Sequence, residues 1–167
     1  MTGTASGKYS APAMFPADTD EIEMWNLLES ITDVSEWEAP NLTCNGMLGH
    51  FPPTDVVGRL CSPTLRDIIE SFATDALWLP ATIQNKGAEH HYFFLHFSTI
   101  PDVLDLNKSE FVSGRLFRPC FAADRVINYK VFILKKTTQL VYVHTDVREA
   151  IKKSGIKGLN FEKADVL

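Results

Sequence analysis

Between Tyr9 and Gly58 the sequence has no lysine and no arginine. The acids in that interval are Asp18, Asp20, Glu21, Glu23, Glu29, Asp33, Glu36, Glu38 and Asp55. So one-sided a charge argues against phosphate binding by this third of the chain and suits a basic partner protein. A solvated, solubilising face is the plainer alternative. From Arg59 onward bases outnumber acids, and the chain of 167 residues has a net charge of −5.

Cysteine is scarce as well. Cys44, Cys61 and Cys120 stand far apart with no CxxC pair. Their odd number argues against a disulfide framework and fits a reducing cytoplasm. No apolar run approaches the roughly 18 residues of a membrane span. The N-terminal stretch lacks the apolar block of a signal peptide, so a cytoplasmic chain is expected.

The usual chemical signatures are missing too. There is no HExxH, P-loop, GxGxxG, zinc ribbon or GxSxG elbow. His90, His91 and His96 attract attention as metal ligands. On a regular strand His90 and His96 share a face but lie about 20 Å apart, at ~3.3 Å per residue, too far to hold one ion. Neither a metal nor a cofactor is expected. Cys120, in "FRPC" beside Arg118, has a base nearby that could lower its pKa. With a histidine and Asp102 or Asp105 it forms the alternative, enzymatic reading. Asp102 and Asp105, three positions apart after a proline, also suit helix caps or turns.

Apolar residues make up 45% and charged residues 22%, an ordinary globular balance for one domain. Residues 1–17 are rich in Gly, Ser, Ala and Pro and are expected to be a disordered lead-in to a single domain over 18–167. "DTDEIEMWNLLESI" predicts a helix capped by Asp18 or Asp20, with Ile22, Trp25, Leu28 and Ile31 or Thr32 on one face. "DVSEWEAPNLTCNGMLGHFPPTD" reads as irregular. Trp37, between Glu36 and Glu38, is the tryptophan expected to be most exposed, and Trp78, in a strand, suits the core.

A short unit then occurs twice. "SPTLRDIIESFATDALWLP", from Ser62, runs parallel to the C-terminal "HTDVREAIKKSGIKGLNFE" when Arg66 is set on Arg148. Each copy, over about 56–83 and 139–164, reads as strand, amphipathic helix, strand. Ser62 caps the first helix with Pro63 at its first position; His144 or Thr145 caps the second, and Gly155 ends it. So small a unit cannot bury its own apolar face. "EHHYFFLHFSTI" and "RVINYKVFILKK" are the strands expected to support both copies, with "PDVLDLNKSEFVSGRLFRPC" as connector. The fold class expected is α+β: a mixed sheet with the two strand-helix-strand units packing their helices on it.

Over residues 55–165 the chain resembles a bacterial immunity family associated with polymorphic toxins, the eleventh immunity class, of myxobacterial type. The resemblance is carried by "RLCSPTLRDIIESFATDALWLPATI", by "HYFFLHFSTIPDVLDLNKSEF" with Val103, Leu104, Asp105 and Ser109, and by the closing Gly155, Gly158, Leu159 and Phe161. It departs from the pattern at Ala73 and Ala76, which stand where the second copy has glycines, and at His144, where a capping serine is usual. The stretch before residue 55 has no counterpart.

The resemblance implies a cytoplasmic, non-enzymatic immunity protein that neutralises a cognate secreted toxin by stoichiometric binding. Nucleases with basic grooves are among such toxins, and the immunity protein itself would bind neither nucleic acid nor membrane. The residues expected to contact the partner are Glu21, Glu23, Glu29, Asp33, Glu36, Trp37 and Glu38. The other alternative is an adaptor or chaperone that loads an effector without inhibiting it.

Overall fold

A computed structural model describes residues 2–5, 9, 11–135 and 140–167, with 2–5 as backbone only. The chain is α+β with parallel and antiparallel strand pairs, and its two repeated units are divided between two four-stranded sheets.

The first unit is β3 (Leu60–Cys61), α2 (Pro63–Glu70) and β4 (Leu77–Asn85). Its two strands are not neighbours. Both pair antiparallel with β5 (Ala88–His96), which lies between them. Lys86 and Gly87, both at positive φ, make the tight β4–β5 turn. β2 (Asn41–Cys44) joins the outer side of β4 in parallel. The second unit is β10 (Val141–Val143), α4 (Thr145–Lys153) and β11 (Leu159–Glu162). Its strands also flank a third, and that strand is β1 (Thr2–Ala5), antiparallel to both. β9 (Val131–Phe132) closes the far edge against β10.

The expected lead-in is therefore corrected in part. β1 occupies in the second sheet the slot that β5 occupies in the first. Ala13 and Phe15 are buried core residues, and Ala13 N–H donates to Pro53 O at 2.8 Å. Residues 1, 6–8 and 10 of that lead-in lie outside the described ones, as does Gln139 at the start of the second copy.

The helices of both copies form as their sequences predict. Ser62 Oγ accepts from Leu65 N–H at 3.2 Å, and Pro63 opens α2. On α4 the cap is His144, whose Nδ1 accepts from Asp146 N–H at 3.2 Å. Gly155, at φ +80°, ends that helix. Leu65 and Ile69 of α2 and their counterparts Val147 and Ile151 of α4 are all buried. They meet in one cluster with Cys61, Leu95, Val131 and Val143, so the two copies pack their helices together and share a core.

A second cluster, under the other face of the first sheet, holds Leu42, Leu79, Ile83, Tyr92 and Phe94. α1 (Glu21–Ser30) lies against it through Met24, Leu27 and Leu28. The helix is where the sequence predicts, but its buried face is rotated. Ile22 is 73% exposed, whereas Ile31, just past the helix, is fully buried.

Two further expectations are corrected. "RVINYKVFILKK" is not one strand. Ala123–Val126 form a short helix, α3, and only Val131–Phe132 pair, as β9; Lys136 lies outside the described residues. The connector carries strands of its own. It contains β6 (Glu110–Val112) and β7 (Arg115–Arg118), a hairpin turning on Ser113 and Gly114, both at positive φ. β8 (Cys120–Phe121) follows and pairs in parallel with β12 (Asp165–Val166). Among the described residues no helix is long and apolar enough to cross a membrane.

Candidate functional site

The acidic stretch becomes an ordered ridge on the second cluster. Asp20 starts it: its Oδ1 accepts from Ile22 N–H at 2.9 Å and Glu23 N–H at 3.0 Å. Glu21 and Glu23 follow in the first turn, where the helix dipole favours negative charge. The chain leaves the helix at Ile31, whose carbonyl lies 3.2 Å from His96 Nε2. A 3-10 turn over Val34–Glu36 comes next, closed at its start by a reciprocal cap. Asp33 Oδ1 accepts from Ser35 N–H at 2.8 Å. Glu36 Oε1 accepts from Asp33 N–H at 3.0 Å, Thr32 N–H at 3.2 Å and Thr32 Oγ1 at 3.1 Å. The bonds from Ser35 hold the Asp33 carboxyl below its ordinary pKa.

The structure divides the expected contact residues by role. Glu21, Glu23 and Glu38 are exposed and carry charge outward. Glu29 is exposed too, but also lines a cavity of about 50 Å³ beside Arg59 and Lys135. Asp33 and Glu36 are exposed and engaged in the cap. None of these carboxylates is in an ion pair among the described residues.

Trp37 is a correction. It is 9% exposed, lies edge-on to Phe94 at 5.6 Å, and donates from Nε1 to Pro80 O at 2.7 Å. The chain turns extended at Trp37, just past the 3-10 turn, which brings this one side chain inward while Glu36 and Glu38 stay exposed. Trp37 fastens the ridge to β4 and is no surface anchor. Trp78, expected in the core, is half-buried against the first cluster.

Beneath the ridge lie two basic side chains, Arg59, which the sequence did not single out, and His96. Arg59 is buried, and its Nε donates to Leu140 O at 2.8 Å. Burial pulls its pKa down to about 10. His96 is buried beside it. Burial is the main cause holding its pKa below 6.5, opposed by the bond to Ile31 O and reinforced by the Arg59 charge. The signal that could have marked Arg59 is its place inside the apolar run around "VVGRLC".

The alternative catalytic residues do not converge on a histidine. Cys120 is 3% exposed and its backbone N–H donates to Ser109 Oγ at 2.9 Å. Asp105 reaches Cys120 through backbone only, its N–H donating to Cys120 O at 2.9 Å. Its side chain forms a turn by accepting from Asn107 N–H at 3.1 Å. Asp102 pairs with Arg125 at 3.2 Å. Among the described residues no histidine is a hydrogen-bond partner of Cys120, Asp102 or Asp105. His90 and His91 are exposed while His96 is buried, and among the described residues no group of three or more His, Cys, Asp or Glu is placed to hold a metal. No family model matches the chain, and no characterised protein matches it.

Proposed function

We propose that this chain is a binding protein that neutralises a basic partner by stoichiometric attachment, and that the partner is a cognate secreted bacterial toxin. The observation that carries the reading is the ridge from Glu21 to Glu38. Its carboxylates are exposed and free of ion pairs among the described residues, and its backbone is fixed by two side-chain caps and by Trp37. A surface already ordered before contact loses little conformational entropy on binding. Unpaired like charges on it raise the rate of encounter with a surface of opposite sign. The toxin reading itself comes from the resemblance in the repeated units. Inhibition in this scheme is obstruction: the ridge lies where the toxin's anionic substrate would lie. The protein works in the cytoplasm, where the toxin acts, and makes or breaks no bonds.

The test is co-expression with a candidate toxin, taken first from the product of the gene next to this chain's own. Cells making that toxin grow when they also make this protein, and rescue requires the two in equal amounts. Binding without rescue would mark a loading adaptor and overturn the reading, as would rescue at a small fraction of the toxin's abundance, which is the mark of an enzyme.

A further inference from the structure

A groove lies apart from the acidic ridge, beside the second repeat. Its volume is about 670 Å³, within the roughly 300–1,000 Å³ of small-molecule sites. Other cavities, of about 50, 30 and 290 Å³, are smaller. Three packed rings form part of its wall. Phe132 stacks on Tyr142 at 5.2 Å, and Phe121 meets both edge-on, at 5.2 and 4.9 Å. Around them Ile127, Tyr129 and Val166 leave apolar surface in water. Ile127 and Tyr129 belong to the segment whose sequence predicts a strand; its break after α3 is what turns them outward.

The basic side chains lining this groove are His144, Arg148 and Lys163, and among the described residues no Asp or Glu lines it. Arg148 gives Nη1 to Glu149 Oε1 at 2.6 Å, while its Nε is closed off from water without a partner among the described residues. Of the neighbouring carboxylates, Asp146 lies 3.2 Å from the groove's own His144 and 2.6 Å from Lys130, and Asp165 lies 2.8 Å from Arg118, which leaves Lys163 and Arg148 as the cations facing the groove. A buried donor without an acceptor is costly, and guanidinium presents its Nε and second terminal nitrogen as a fork that fits a carboxylate.

We propose that the groove binds a small amphipathic carboxylate. Its apolar body lies against the exposed Ile127, Tyr129 and Val166, with the packed rings behind them, and its head group draws the Arg148 guanidinium into the groove and pairs with Arg148 and Lys163. This site is independent of the toxin reading, since none of its residues belongs to the ridge.

The experiment titrates the full chain with decanoate, decanol and decylamine, each below its aggregation limit, by calorimetry. Decanoate binds saturably at one site, and decanol and decylamine bind at least about tenfold more weakly, the size expected for a hydrogen-bonded charge. Arg148→Gln and Lys163→Gln each weaken decanoate while leaving the melting temperature close to that of the unaltered chain. Failure of decanoate to saturate, or equal binding of the three probes, overturns the proposal. So does unchanged decanoate affinity in a folded Arg148→Gln variant. The three-probe comparison uses the unaltered chain and stands even if a variant fails to fold.

Discussion

Replacing Trp37 by alanine separates a structural role from an interface role. The side chain is almost wholly buried in the second cluster, edge-on to Phe94 and bonded to Pro80 O. Truncating a buried tryptophan costs about 3–5 kcal/mol, the transfer of the ring plus the cavity it leaves. The lost bond to Pro80 O adds about 1 kcal/mol at most to that figure. In a chain of this size ~1 kcal/mol moves the melting temperature by about 2–4 °C, so Trp37→Ala should melt about 6–20 °C lower. Trp37→Phe keeps a ring but loses the N–H, and should cost about 1 kcal/mol for the bond plus a smaller packing loss. Urea unfolding followed by circular dichroism measures both, and partner affinity at a temperature where each variant is folded completes the comparison. Affinity for Trp37→Phe should stay within about twofold, because truncations away from an interface leave its contacts intact. A Trp37→Ala variant that loses under ~1 kcal/mol of stability yet fails to bind would refute the placement.

Acidification should destabilise the fold in a defined window. His96 and His50 both have folded pKa values below the ordinary 6.5, His50 through burial. The unfolded chain therefore takes up these protons more readily, so stability is full above pH 6.5 and falls as pH drops from there towards the folded values. Melting temperatures from pH 7.5 to 5.5 check this, and His96→Gln should shallow the slope; a rise in stability on acidification would contradict it. Gly58→Ala should cost at least about 1–3 kcal/mol, since Gly58 has φ +108° and an added Cβ would fall 2.5 Å from the Phe94 ring. A urea midpoint unchanged by that substitution would show the contact to be wrong.

What the sequence reveals is local. α2 and α4 are legible because Ser62, Pro63 and Gly155 punctuate them and apolar residues recur at helical spacing. β4 and β5 are legible as long apolar runs. The repeat itself is legible from paired positions such as Leu65 with Val147. What escapes is what depends on distant partners. Nothing in Thr2–Ala5 announces a strand, because its stabilisation comes from β10 and β11, far along the chain. The β6–β7 hairpin did carry a local sign, Ser113-Gly114 between short apolar stretches. α1 was placed correctly, but its inward face depends on where the first sheet lies, so Ile22 and Met24 exchange roles. For the ridge, charge sign and exposure were readable from composition. The capping duties of Asp33 and Glu36 and the inward turn of Trp37 depend on backbone geometry and on Pro80, which only the fold supplies. The aromatic groove gathers Phe121, Phe132, Tyr142 and Arg148 from separate elements, and no spacing in the sequence brings them together.

Association kinetics test the central claim most directly. The association rate with the toxin partner should be measured from low to high ionic strength for the unaltered chain and for Glu21→Lys/Glu23→Lys/Glu29→Lys. Exposed carboxylates steer through a field that salt screens, so the unaltered chain should bind more slowly as salt rises, and the charge-reversed chain should start slower with a flatter dependence. Identical rates and identical salt slopes for the two proteins would contradict the account.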